Sequence, residues 1–146
     1  MKRCVRGLLF PVRWLVRGLW ALVKGCGHLM GMRRNTKVLD GAGYEVFVAK
    51  WLREQGFRQI LHTGATGDFG VDLVARKHGI YYAVQCKYYS SSVSGAAVQE
   101  AVAGMAYYHC DRAMVVTNSQ LTRGARALAE ANHVLVLEHV EPGKVT

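Results

Sequence analysis

The sequence predicts an α/β domain, a mixed sheet with helices packed on it, and three observations predict it. Helical periodicity over 40–55 gives way to three strand candidates, and two further helix–strand pairs follow, so the order is αβββαβαβ. Apolar residues change spacing along that order, from every third or fourth position in helices to short runs in strands. The chain of 146 residues also has room for one compact domain of about 100 residues plus an extension.

The elements follow in turn. In "GYEVFVAKWLREQGF" the residues Tyr44, Phe47, Val48, Trp51 and Leu52 share one helical face. Asp40 can cap the start, Lys50 and Glu54 pair at i, i+4, and Gly56 ends the helix. Glu45 lies at the edge of the apolar stripe, where its carboxylate can reach over whatever the helix covers. Strands are expected at roughly 57–62, 70–76 and 80–88, the last two joined by the hairpin "KHG". A second helix starts at Ser92 or Ser94 and runs to about 109, with Val98, Val102, Met105 and Ala106 on one side. "AMVVT" (113–117) is a short buried strand, "SQLTRGARALAEANH" a third helix, and "VLVLE" (134–138) a last strand.

Charge divides the chain into two segments, 1–37 and 38–146. Residues 1–37 hold nine Lys or Arg and no Asp or Glu; the other residues hold ten of each, so 9 + (10 − 10) gives the net +9. A neutral globular domain therefore follows a basic, apolar leader. Cys4, Cys26, Cys86 and Cys110 form no CxxC pair, which argues against a zinc site or a disulfide framework and fits a reducing compartment. The histidines (His28, His62, His78, His109, His133, His139) have no metal-ligand spacing and read as surface or core residues.

In the leader, Arg6, Arg13, Arg17 and Lys24 fall within about 20° of one line on a helical wheel. Leu8, Val12, Leu15, Leu19 and Val23 lie mostly opposite, with Trp14 at the border. This is the pattern of an amphipathic helix in a membrane interface. Arg13 and Arg17 at the middle of a spanning helix would each cost roughly 2.5–3.5 kcal/mol, a cost that snorkelling lowers. A helix packed on the domain or a partner, and a targeting segment, are the alternatives. The expectation is attachment to the cytoplasmic face of a membrane.

"GDFGVDLVARKHGIYYAVQCKYY" (67–89) places Asp68, Asp72, Gln85 and Lys87 among strand formers, where polar groups are costly unless paired or bound. Gln85 and Lys87, two apart, project from one face of a strand while Cys86 points away. Asp72 enters the neighbouring strand where hairpin pairing can bring it beside Gln85. One carboxylate, one amide oxygen and one ammonium then converge at a sheet edge. Oxygen ligands of this kind suit Mg²⁺, which is commonly held by few protein groups plus substrate phosphates. A lysine beside such a cation can orient or help deprotonate a water and stabilise charge on a phosphorane-like transition state. The bland reading gives Asp68 and Asp72 to turns and Lys87 to solvent.

The blocks "GYEVFVAKWLREQGF", "GDFGVDLVA", "AVQCKYY" and "MVVTNSQLTRGARALA", in this order across residues 40–139, resemble the Mrr-type restriction endonuclease domain of the PD-(D/E)xK nuclease superfamily. The resemblance implies a restriction-endonuclease-like three-layer α/β/α fold with a central mixed sheet and a metal-dependent endodeoxyribonuclease acting in restriction or DNA repair. It implies Mg²⁺, with Mn²⁺ able to substitute, held by Asp72, Gln85 and Glu45, with Lys87 as the motif lysine. Asp68 would shape the loop, Gln99 would face the site from the second helix, and Thr117 would be structural or near the phosphate. Gln85 stands where the superfamily has Asp or Glu, so metal affinity is expected to be weaker.

DNA is the implied partner, with the membrane surface as a second one through the leader. A homodimer is expected where both strands are cut, since one site cuts one strand. The competing function class is a non-catalytic, membrane-tethered DNA-binding or interaction module that keeps the nuclease fold. The full set of Asp72, Gln85, Lys87 and Glu45 favours the enzyme, because a pure binding module has little use for a buried lysine beside carboxylates.

Overall fold

The computed structural model describes residues 40–64 and 69–143. The leader and Asp68, with the readings made of them, lie outside the described residues.

Asp40 accepts a hydrogen bond from the Gly43 amide at 2.7 Å and so caps helix α1, Gly41–Glu54. Its buried face is Tyr44, Val48, Ala49 and Leu52, with Phe47 and Trp51 partly covered, close to the expected stripe. The expected Lys50–Glu54 pair forms at 3.9 Å on the exposed side, where it contributes little. Strand β1, Arg58–His62, follows, with an irregular register between Arg58 and Leu61 and Gln59 at φ 50°. Strand β2 is Leu73–Lys77 and β3 is Ile80–Lys87. His78 and Gly79 both have positive φ, 51° and 85°, which suits a two-residue hairpin whose twist matches that of its strands.

Helix α2, Gly95–Tyr107, then leads to β4, Arg112–Thr117, and helix α3, Arg123–Ala131, to β5, Leu135–Leu137. The expected helix and strand order is observed, and the boundaries move by a few residues. The five strands lie in the order β1-β2-β3-β4-β5. The first two pairings are antiparallel and the last two parallel, so two crossover helices are required by the parallel half.

Three layers result. On one face α1 packs over Leu73, Val84, Met114 and Val116. On the other, Ala97, Val98 and Ala101 of α2 and Ala125 and Ala129 of α3 cover Ala113 and Val115. Strand β4, "AMVVT", paired on both sides, is therefore buried on both faces, which explains its unbroken apolar run. Five of the six histidines are described, and all five are exposed, four of them at positive φ: His78, His109 and His133 in turns and His139 after β5.

Candidate active site

The hairpin fixes the first contact. Leu73 lies opposite Val84 and Lys77 opposite Ile80, so Asp72, just ahead of β2, comes opposite Gln85. Its amide donates to the Val84 carbonyl at 2.9 Å, continuing the ladder by one bond. One carboxylate oxygen of Asp72 accepts from the Cys86 backbone N–H at 2.6 Å and from Gln85 Nε2 at 2.9 Å. Gln85 is only 3% exposed, and its Oε1 is buried with no hydrogen-bond partner. Buried acceptors left in this way are unusual and call for an explanation.

Lys87, at the end of β3, stands on the same strand face as Gln85 and meets Glu100 of α2 at 2.8 Å. Burial pulls the Lys87 pKa down, but the hydrogen bond and charge of Glu100, with Tyr89 and Asp72 behind them, outweigh it and leave it raised. The lysine is thus a held cation at neutral pH. Two glycines allow α2 to come this close. A Cβ at Gly70, whose φ is +73°, would lie 2.5 Å from Glu100 Cβ. A Cβ at Gly104 would lie 2.0 Å from Val71 Cγ2. The loop that carries Asp72 therefore rests directly on the helix that carries Glu100.

From the α1 side comes Glu45, half-buried beside fully buried Tyr44. The Cys86 thiol, on the α1 side of β3, is pushed well up by burial first and then by the charges of Asp72 and Glu45, against a lowering by Lys87. The two carboxylates and the ammonium are thus all within electrostatic reach of one buried thiol. Tyr44 donates its hydroxyl to the Val140 carbonyl at 2.9 Å. Its own pKa is raised by burial first, then by Cys86, Glu141 and Tyr88.

Thr117 pairs with Lys87 in register across β3 and β4 and is fully buried. Its hydroxyl accepts from Ser119 N at 3.1 Å, which steadies the exit from β4. Gln99 is exposed on α2, and the helix residue that meets the site lysine is its neighbour Glu100. Sequence reasoning missed Glu100 and also Asn118, which clasps the backbone N–H and carbonyl of Tyr89 at 2.8 and 3.0 Å. A signal for Glu100 exists in the sequence: Ala97, Ala101 and Gly104 mark a face of small residues that borders it.

The donor set fits a hard divalent cation of the sparsely ligated kind. No three His, Cys, Asp or Glu side chains gather as a metal site among the described residues. Asp72 with the unsatisfied Gln85 Oε1, and Glu45 from the other layer, would be the protein's share, leaving the remaining positions to water and phosphate.

Among solved structures the chain is similar to AF1548, a protein of unknown function, with 19% identity, a TM-score of 0.56, and coverage of 68% of this chain and 59% of that one. It is also similar to the DNA modification-dependent restriction endonuclease AspBHI, with 17% identity, a TM-score of 0.50, and coverage of 88% and 42%. The MspJI restriction endonuclease, solved in complex with a 27-mer oligonucleotide, gives 18% identity, a TM-score of 0.41, and coverage of 76% and 33%. The chain thus spans about three fifths of AF1548 and two fifths of AspBHI. No curated protein matches the sequence. The Mrr_cat model, described as a restriction endonuclease, matches residues 36–141. With most of its length and every strand of its sheet inside that match, the chain belongs to the Mrr-type restriction endonuclease family.

Proposed function

We propose that this protein is a Mg²⁺-dependent endodeoxyribonuclease, with Mn²⁺ able to substitute, that hydrolyses DNA phosphodiester bonds in restriction or DNA repair. The observation that carries the reading is the unsatisfied acceptor of Gln85 on the strand that also holds Lys87, opposite Asp72. In this assignment Asp72, Gln85 and Glu45 hold the cation, which when bound would polarise the phosphate and lower the pKa of a bound water. Lys87, kept charged by Glu100, stabilises the extra negative charge on the phosphate oxygens as water attacks. Held protonated, it orients the water, and the proton that the water loses passes to solvent while the leaving oxygen takes one up from solvent. Glu100 positions Lys87 through their 2.8 Å contact. Thr117 supports the strand end, Gln99 supplies helix surface, and Asp68 is assigned the supporting role of shaping its loop.

The domain's charge is balanced, and phosphate neutralisation drives most non-specific DNA affinity. We assign that attraction to the basic leader, which also holds the enzyme at an anionic membrane surface on the cytoplasmic side. One site cuts one strand, so double-strand cleavage requires a homodimer.

The test is plasmid nicking by purified protein with Mg²⁺ or Mn²⁺, alongside Asp72→Ala and Lys87→Ala. Nicking by the wild type and its abolition in both variants, with circular dichroism unchanged, is expected. Wild-type rates in either variant would remove that residue from the site.

A further inference from the structure

Three residues before Asp72, Phe69 is 55% exposed, and so is Tyr107 at the end of α2. Their rings lie 4.1 Å apart between centroids, tilted by 34°, and Tyr108 meets Tyr107 edge-on at 5.0 Å. The pair is held in water instead of in the core, although the domain buries other aromatics such as Tyr44 and Phe57 completely or nearly so. Phe69 also has φ 47°, a left-handed backbone that a bulky side chain adopts only at a cost. Backbone strain that positions an exposed ring is an outlier of the kind that accompanies function.

The location narrows the ligand. The Phe69 carbonyl and Val71 lie against Gly104, and Gly70 against Glu100, so the platform and the Lys87–Glu100 pair share one helix. Glu100 and Tyr107 are seven residues apart, two turns on the same helical face, which is about 10 Å of rise. A nucleic-acid strand at ~3.4 Å per nucleotide covers that in about three nucleotides. Bases inside a duplex already have both faces stacked, whereas an unpaired base has a free π-face that aromatic rings bind without regard to sequence.

From this geometry we infer that Phe69 and Tyr107 form a stacking platform for an unpaired base of the DNA, about three nucleotides from the scissile phosphate, so that single-stranded or frayed DNA is preferred over intact duplex. The inference rests on the nuclease reading for the position of the phosphate, while the platform itself can be tested by binding alone.

The experiment uses the full chain in EDTA, so that nothing is cleaved, and the anisotropy of a labelled 20-nucleotide oligothymidylate and a 20-base-pair duplex. Phe69→Gly removes the ring and suits the left-handed backbone. It should weaken oligothymidylate binding about fivefold or more, leave duplex binding within about twofold because backbone charge dominates that, and keep or raise the unfolding temperature. Tyr107→Ala should show the same selectivity, and Phe69→Trp should retain binding. Unchanged oligothymidylate affinity, equal loss on both probes, or no binding of oligothymidylate by the wild type overturns the inference. So does a fall in unfolding temperature for Phe69→Gly, which would assign the ring to packing, or a change in oligomeric state, which would assign the patch to a second copy. If plasmid nicking fails while Phe69→Gly still loses oligothymidylate selectively, the nuclease reading falls and the platform stands.

Discussion

Replacing Gly104 by alanine tests how the site is assembled. In most helix interiors this exchange stabilises, because glycine costs roughly 0.5–1 kcal/mol relative to alanine there. At Gly104 the new Cβ would sit 2.0 Å from Val71 Cγ2, 3.1 Å from Val71 Cβ and 3.2 Å from the Phe69 carbonyl oxygen. Carbon atoms at their best separation are about 3.5–4.0 Å apart, so helix and loop must part by roughly 1.5 Å. Val71 is fully buried and cannot swing away. Overpacking of this kind costs about 1–3 kcal/mol, and the propensity gain offsets up to about 1 of it. A contact of 2.0 Å places this exchange at the upper end of that range, and the net loss of roughly 2 kcal/mol lowers the unfolding temperature by about 8–16 °C for a domain near 100 residues. Gly124 is the control: it too is helical, but nothing lies within 4 Å of its added Cβ. Gly124→Ala should therefore raise the unfolding temperature by a few degrees, about 2–8 °C. Thermal denaturation followed at 222 nm reads both. Nicking by Gly104→Ala, measured well below its transition, should fall further than its stability, since the displaced loop carries Asp72. A Gly104→Ala protein as stable as the wild type would refute the claim that this close approach holds the loop.

Gln85→Glu should tighten divalent-cation binding, because a full charge beside a dication is worth more than an amide dipole; calorimetry giving unchanged or weaker Mg²⁺ affinity would argue that Gln85 does not face the cation. Burial first and Asp111 second push the Cys110 thiol up to about 11 from an ordinary 9.0. A raised folded pKa gives stability that is fully present below the unfolded value and is lost as pH rises through the folded one. Between pH 9 and 11 the wild type should therefore lose more stability than Cys110→Ser, and parallel denaturation curves would contradict the shift. The leader should carry full-length protein to anionic vesicles, with roughly 1 kcal/mol from each basic residue near the surface. Replacing Arg6, Arg13, Arg17 and Lys24 with glutamate should release it, and carbonate extraction separates an interfacial from a spanning helix. Protein that floats with neither vesicles nor cell membranes would end the membrane reading.

What could be read in the sequence depended on which geometry local rules determine. The meeting of Asp72 and Gln85 follows once "KHG" is taken as a tight hairpin: Lys77 pairs with Ile80 and Leu73 with Val84, so the next position on each side brings Asp72 opposite Gln85. Period-2 alternation then places Lys87 with Gln85 and sends Cys86 to the α1 layer, where it joins Tyr44 and Val48. The phase of α2 was less legible. Apolar bulk at Val98, Val102, Met105 and Ala106 suggested one face, but the face turned inward is Ala97, Val98, Ala101 and Gly104. Small residues win there because Gly70 and Val71 of the incoming loop press on the helix, and only hydrogen or methyl groups fit between them. That choice rotates the helix enough to leave Gln99 exposed and bring Glu100 to Lys87. The polar partner that this helix gives to the site is thus decided by a tertiary contact with a loop about thirty residues earlier. Periodicity within the helix carries no information about that loop.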